Sequence, residues 1–409
     1  MMYIIKLLLT ATLGWMSMTV SAAATGSQTD EGSPIGWASA NGQTTGGNDE
    51  NPVTVTTATE LVSAMKSSGK KTIYIKGTIN IDGQIAISKA SDKTIYGLPE
   101  SSLSNTNHSD EKTKSGILVL KNCQNIILRN LTFKGAGAYD IDGNDNLTIQ
   151  NCQRIWVDHC DFQDGVDGNL DCQHGSDFIT ISWCRFRYLI APWNGGSGGA
   201  SDHRYTNLIG SSDKNADEDE GHLRITYASC WWDEGCRERM PRIRFGQVHI
   251  VNCLYSSSVA NYCVGTGYRC NTYVEKCVFV NQKNPWKNYA TSGTYTDYNI
   301  TVTDCIGAKD EQSHSGSIEY FNPYAVTGYN LTPMDKDQVE AELKEKAGAT
   351  LSIEEGEKYT TRLDSPNTDD SPTTFYTLAG TKMQQHERGL CIGVGKDATG
   401  RTIARKFYK

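Results

Sequence analysis

Five segments of the sequence share one grammar: alternating apolar residues, then Cys, one further residue and a bulky apolar one. They read IWVDHCDF, ITISWCRF, ITYASCWW, VHIVNCLY and TYVEKCVF, ending at Phe162, Phe186, Trp232, Tyr255 and Phe279. Two weaker members flank them: NIILRNLTF ends at Phe133 with Leu131 in the Cys place, and ITVTDCIG ends at Gly307. Successive ends are 29, 24, 46, 23, 24 and 28 residues apart, a period of roughly 25 with about 20 extra residues in one coil. Each phrase is a strand too short to stand alone, and two-residue alternation stacked at a fixed period describes an all-β parallel β-helix.

Cys160, Cys184, Cys230, Cys253, Cys277 and Cys305 share one register and are expected to form an inward stack. Rungs about 4.8 Å apart place neighbouring Cβ atoms slightly beyond disulfide range, so free thiols packing as small hydrophobes are the first expectation. Disulfides are the alternative for thirteen cysteines in an exported chain, with Cys263 and Cys270 the first pair to suspect. An open solenoid end needs a cap. TATELVSAMKSSG supplies one, with a capping box from Thr57 to Glu60 and an apolar face of Leu61, Ala64 and Met65. A second short helix is expected at the far end, over 334–349. Residues 350–371 read as a polar linker, and 372–409 alternate again as a small strand-rich module. That tail resembles short C-terminal domains of some secreted Gram-negative enzymes.

The N-terminus carries one Lys, an apolar run and small residues before a plausible cut at Ala22, so 1–22 read as a signal peptide and 23–349 as the β-helix domain. A membrane anchor needs about 20 apolar residues, and this run is shorter and interrupted. The expectation is an exported monomer, secreted or periplasmic, without membrane insertion. A net charge of −8 argues against nucleic acid as a partner.

Counting back from each coil's end residue places Asp145 between the registers of Asp167 and Asp171, one rung away. Three carboxylates without His or thiolate suit Ca²⁺; solvated turn aspartates are the plainer alternative. Asp167 and Asp171 would lie about 13 Å apart in an extended strand, so the chain is expected to bend, at Gly168. In CRERMPRIRFG four arginines crowd one segment, and Arg239 falls in the register of the aspartates. If the 46-residue interval is one coil with an insertion, Arg239 lies two rungs, about 10 Å, from Asp171. A cation bank beside an acidic cluster suits a repeating polyanion; a surface charge ladder is the alternative.

The segments GWASANGQTTGG, VTVTTATEL, IKGTINI, TIYGL, NIILRNLTF, IWVDHCDF, DGNLDCQHGSDFITISWCRF, NLIGSSD and RMPRIRFGQVHIVNCLY follow in order. From about residue 36 to 349 the chain resembles a pectate lyase of polysaccharide lyase family 1. The resemblance implies a right-handed single-stranded parallel β-helix that cleaves α-1,4-linked polygalacturonate (pectin) by β-elimination. It also implies calcium held by Asp145, Asp167 and Asp171, Arg239 as the base that takes the C5 proton, and Arg244 on substrate carboxylates. A guanidinium with a pKa above about 12 is a demanding base, and neighbouring cations would favour its neutral form.

Three departures from the family stand out. Asp167 takes the place of a longer Glu. Tyr205, beside Arg204, takes the place of a substrate-binding Lys, so Arg204 substitutes or Tyr205 stacks on sugar. Gly143 takes the place of a further Asp, with Asp142 the stand-in. The glycine-rich stretch 187–202, bearing Trp193, is expected to wall the groove or to be inert. The competing functions are a non-catalytic pectin-binding solenoid and a pectin lyase or other pectinolytic enzyme on esterified substrate.

Overall fold

The computed structural model describes residues 32–49, 51–290 and 295–352, and the backbone of Thr374–Thr377, Leu390–Lys396 and Thr402–Tyr408. The signal segment 1–22 and all but the first residues of the linker lie outside the described residues.

The recurring phrases become coils of a parallel β-helix. Strands run in sequence into three sheets, in which each strand pairs in parallel with its counterpart one coil earlier and one coil later. One sheet of eleven strands includes Gln153–Asp158, Asp177–Ser182 and Ile225–Ala228. A second carries Asp161–Gln163, Arg185–Arg187 and Trp231–Trp232. The third carries Leu147–Gln150, Leu170–Gln173, Leu208–Ile209 and Arg242–Ile243, and the functional residues gather on it. Asp177–Ser182 pairs directly with Ile225–Ala228, so the 46-residue interval is one coil, as expected. The tail strands form a three-stranded antiparallel sheet.

The bulky end residues stack inside the solenoid. Ring centroids of Phe133, Phe162, Phe186, Trp232, Tyr255 and Phe279 follow one another at 4.6, 5.2, 5.5, 4.7 and 4.5 Å, stacked with their planes nearly parallel. All six rings are buried and the four inner ones each lie between two others, which explains why the phrase ends on an aromatic residue. Phe186→Ala is therefore expected to cost about 3–5 kcal/mol, read as a lowered urea midpoint at unchanged slope.

The cysteines form the adjacent ladder. Backbone N–H groups of Cys230, Cys253 and Cys277 each donate to the next coil's Sγ at 3.4 Å. All twelve described cysteines are free, Cys263 and Cys270 included, so the disulfide alternative is overturned.

The N-terminal cap forms over Ala58–Lys66. Thr57 Oγ1 accepts from Glu60 N–H at 3.2 Å, and Glu60 Oε2 accepts from Thr57 N–H at 3.1 Å. The second helix, Lys336–Lys346, lies elsewhere than expected. It buries Val339 and Leu343 against Trp183, Trp231, Leu254 and Val278, on the flank of the second sheet. At the far end the last parallel strand, Tyr298–Thr303, pairs instead with antiparallel Glu311–Ser315.

Residues 36–47 form a strap that the sequence did not announce. It crosses the outer face of the eleven-stranded sheet, bonding coil after coil. Trp37 N–H donates to Thr226 Oγ1, Ala38 N–H to Thr180 Oγ1, Gly46 N–H to Asn125 Oδ1 and Gly47 N–H to Thr94 Oγ1, all at 2.9–3.0 Å. Trp37 stacks on Phe321 and meets Tyr329 edge-on, while Gly36 pairs with Asn330. A Cβ on Gly47 would lie 2.0 Å from Lys71 O, so the strap can approach this closely only as glycine.

Candidate active site

A ladder of buried asparagines fixes the turns that lead into the third sheet. Asn146 Nδ2 donates to Asn169 Oδ1 at 2.9 Å, and Asn207 Nδ2 donates to Leu170 O at 3.1 Å while its Oδ1 accepts from Trp232 Nε1. Asp145 and Asp167 project from these turns, and Asp171 from the strand Leu170–Gln173 that follows. Thr148 pairs with Asp171, Ile209 with Cys172, and Arg242 with Leu208. The coil of Arg239 and Arg242 thus lies two rungs beyond that of Asp171, as the register counting predicts.

Asp145 and Asp171 are buried, at 5% and 4% exposure. Thr148 Oγ1 donates to Asp145 Oδ2 at 2.8 Å; Leu208 N–H donates to Asp171 Oδ1 at 2.8 Å and Gln173 Nε2 to Asp171 Oδ2 at 3.1 Å. Asp145 Oδ1 is buried with no hydrogen-bond partner among the described residues. A Cβ placed on Gly168 would lie 2.8 Å from that oxygen and 3.5 Å from Asp171 Oδ1, so the two carboxylates look across space that only a glycine leaves open. Gly168 therefore serves close approach, and the bends fall at Val166, Asp167 and Asn169. An orphaned buried carboxylate oxygen beside a second one, with oxygen donors alone, fits a hard divalent cation. Among the described residues no three Asp, Glu, His or Cys side chains are closed into a ready-made metal cluster. Asp167 is the outlier, half-buried and turned to His203.

Burial and then the charges of Asp171 and Asp167 hold the Asp145 carboxyl well above the usual carboxylate range. Burial and then Asp167 push Asp171 up to about 7. Raised acid pKa values favour the protonated, folded chain, so this stability is complete below about pH 4 and is lost as pH rises through about 7. The melting temperature of chelated protein is expected to fall between about pH 4 and 7, and excess calcium to reverse the fall; differential scanning calorimetry reads both.

Arg239, at a left-handed φ of 59°, places its guanidinium 4.5 Å from the centroid of Tyr205, and its charge favours ionised Asp145 and Asp171. The Tyr205 ring also meets His203 at 4.2 Å, so protein groups already engage the ring expected to stack on sugar. Arg244 is fixed by Asp213, its Nε 2.7 Å from Oδ1, and by Gly210 O. Arg204 is committed to Asp202 through two bonds, and Arg237 joins it at 3.0 Å. These bonds, Arg204's first, draw Asp202 down to about 2. Trp193 is 40% exposed, and its Nε1 donates to Ala136 O at 3.0 Å. The insertion around it docks on 136–140 and sets the Trp193 ring at a tilt against His108, centroids 4.1 Å apart. Asp142 points away from the aspartate cluster and pairs with Lys112 at the surface.

Two parts of the site escaped sequence reasoning. Arg242 shares Asp171's register, and burial and then Arg244 lower its pKa; its Nε is buried and unbonded, and it has no carboxylate partner among the described residues. Its signal was present in RMPRIRFG but indistinguishable from its neighbours'. His203 and Asp140, buried against each other, carried no signal.

Comparison with known proteins places this geometry. The sequence profile described as Pectate lyase matches residues 5–352. A probable pectate lyase B of Aspergillus flavus is 33% identical over 336 residues, covering 79% of this chain and 91% of its own. A pectate trisaccharide-lyase of Thermotoga maritima is 36% identical over 222 residues, 52% of this chain and 53% of its own. The solved pectate lyase of a Paenibacillus species superimposes with a TM-score of 0.63 over 80% of this chain and 98% of its own, at 18% identity, and shares the fold. These relatives give a Gram-negative source no support. A solenoid carrying this site, matched along most of its length by such relatives, belongs to the pectate lyase family.

Proposed function

We propose that the chain cleaves polygalacturonate by calcium-dependent β-elimination, with Asp145, Asp167 and Asp171 holding the ion and Arg239 as base. The observation that carries this reading is the buried, mutually repelling pair Asp145 and Asp171, open toward the Gly168 cradle, with Arg239 acting on both. Bound there, calcium supplies charge neutralisation for the uronate carboxylate as negative charge develops on it. Arg239 takes the proton from C5, the C–H electron pair forms the C4–C5 double bond, and the C4–O bond breaks, with the leaving oxygen taking a proton from solvent. Arg244, locked by Asp213, presents its remaining donors to a substrate carboxylate. Arg242 adds a buried positive charge on the same sheet, and Trp193 offers a sugar-stacking face at the edge of the insertion. Tyr205, beneath Arg239, holds the base in place, and Arg204, tied to Asp202, lines the groove beside it.

Export as a monomer accompanies this reading. No helix among the described residues is long and apolar enough to cross a membrane.

The test is ultraviolet absorbance of the 4,5-unsaturated product, with polygalacturonate in calcium and then in excess chelator. Signal that appears with calcium and vanishes with chelator supports the proposal. Undiminished signal in chelator would remove calcium from it, and reducing ends without absorbance would replace elimination by hydrolysis.

A further inference from the structure

The three carboxylates are not equally supported. Asp145 has Thr148, and Asp171 has Leu208 N–H and Gln173. Among the described residues Asp167 has one polar contact, His203, whose Nε2 lies 3.2 Å from Oδ1. The other ring nitrogen of His203 lies 3.3 Å from Asp140 Oδ1. Neither approach is aligned as a hydrogen bond, yet the ring is buried and caught at both ends by carboxylates.

Asp140 is itself gripped by the insertion. Ala200 N–H donates to Asp140 Oδ2 at 2.7 Å, and Gly198 N–H donates to Asp140 O at 2.8 Å. A Cβ on Gly196 would lie 2.1 Å from Asp140 O, and one on Gly198 would lie 2.0 Å from Asp140 Oδ1. The glycines of this stretch thus let the loop close directly on the aspartate. A continuous path of contacts runs from the loop through Asp140 and His203 to Asp167.

We propose that His203 is a positioning residue for Asp167, braced by Asp140 and through it by the loop, so that the insertion sets the reach of the third metal ligand. The inference rests on the calcium reading above. Ligating carboxylates are held by outer partners whose loss costs about 10–100-fold in metal affinity. Asp167 is short and half-exposed, so it depends most on such a partner. The loop, expected either to wall the groove or to be inert, thereby acts on the metal site.

Calcium titration calorimetry on the full chain without substrate tests this. His203→Ala is expected to raise the calcium Kd about tenfold or more. Gly198→Ala, outside the carboxylate cluster, displaces Asp140 and is expected to weaken binding in the same direction. It also serves if His203→Ala fails to fold. In an Asp167→Glu background the longer carboxylate reaches unaided, so His203→Ala is expected to change Kd by less than about threefold, a coupling that a merely structural role would not produce.

A calcium Kd within about twofold of wild type in folded His203→Ala, or an equal loss in both backgrounds, overturns the proposal. Wild type that binds no calcium, or works fully in chelator, takes down the calcium reading and this inference together. Wild-type binding with unaffected variants sinks the inference alone.

Discussion

Arg239→Ala is expected to lower turnover of polygalacturonate by about three orders of magnitude or more, the scale of a lost general base, while leaving the melting temperature almost unchanged. The Arg239 side chain makes no ion pair or hydrogen bond among the described residues; its contact is the face of Tyr205. Its removal therefore takes little from the fold. Arg239→Lys keeps the positive charge but replaces a planar fork by a compact ammonium, which changes both reach and basicity. If Arg239 acts as base, both variants lose kcat with a much smaller change in KM. Loss confined to KM would make Arg239 a substrate clamp, and Arg242, in register with Asp171, would become the residue to test.

Asp145→Asn is expected to move activity and stability in opposite directions. The carboxylate is buried beside Asp171 and Asp167, and both charges oppose its ionisation. Asparagine keeps the shape and can still accept from Thr148, but removes a charge from a crowded buried site. Activity should fall about a hundredfold or more at fixed calcium, because one of three ligands becomes a neutral amide. In chelator the variant should melt higher than wild type, since functional sites hold strain that the fold would be more stable without. A lower melting temperature in chelator would mean that Asp145 supports the fold, and would count against the cradle as a cation site.

The solenoid was legible because its repeat is written in side chains that meet their own kind. Phe162 stacks on Phe186 and the Cys230 N–H donates to Cys253 Sγ, so periodicity along the chain becomes adjacency across coils. The same counting placed Asp145 one rung before Asp171 and Arg239 two rungs beyond it. It failed where contact depends on a departure from the repeat. His203 and Asp140 meet because the insertion folds back on an earlier coil, and no spacing rule gives that geometry. The sequence predicts a second helix over 334–349 but does not say what Val339 and Leu343 would cover. The bend beside Asp167 was expected of Gly168, but its neighbours supply it, because the glycine is needed for the space its Cβ would take.

A stack of coils that touch only their neighbours is quasi-one-dimensional, and its end units can fray while the middle holds. The strap at residues 36–47 changes that dimensionality. It bonds Thr94, Asn125, Thr180 and Thr226, which belong to separate coils, and it is pinned by Phe321 and Tyr329 from the far end of the chain. Coils separated by several nearest-neighbour steps thereby acquire a common crossbar. Fraying from one end must detach it from them all, which turns a row of local equilibria into a single cooperative transition and keeps the central rungs in mutual register against shear.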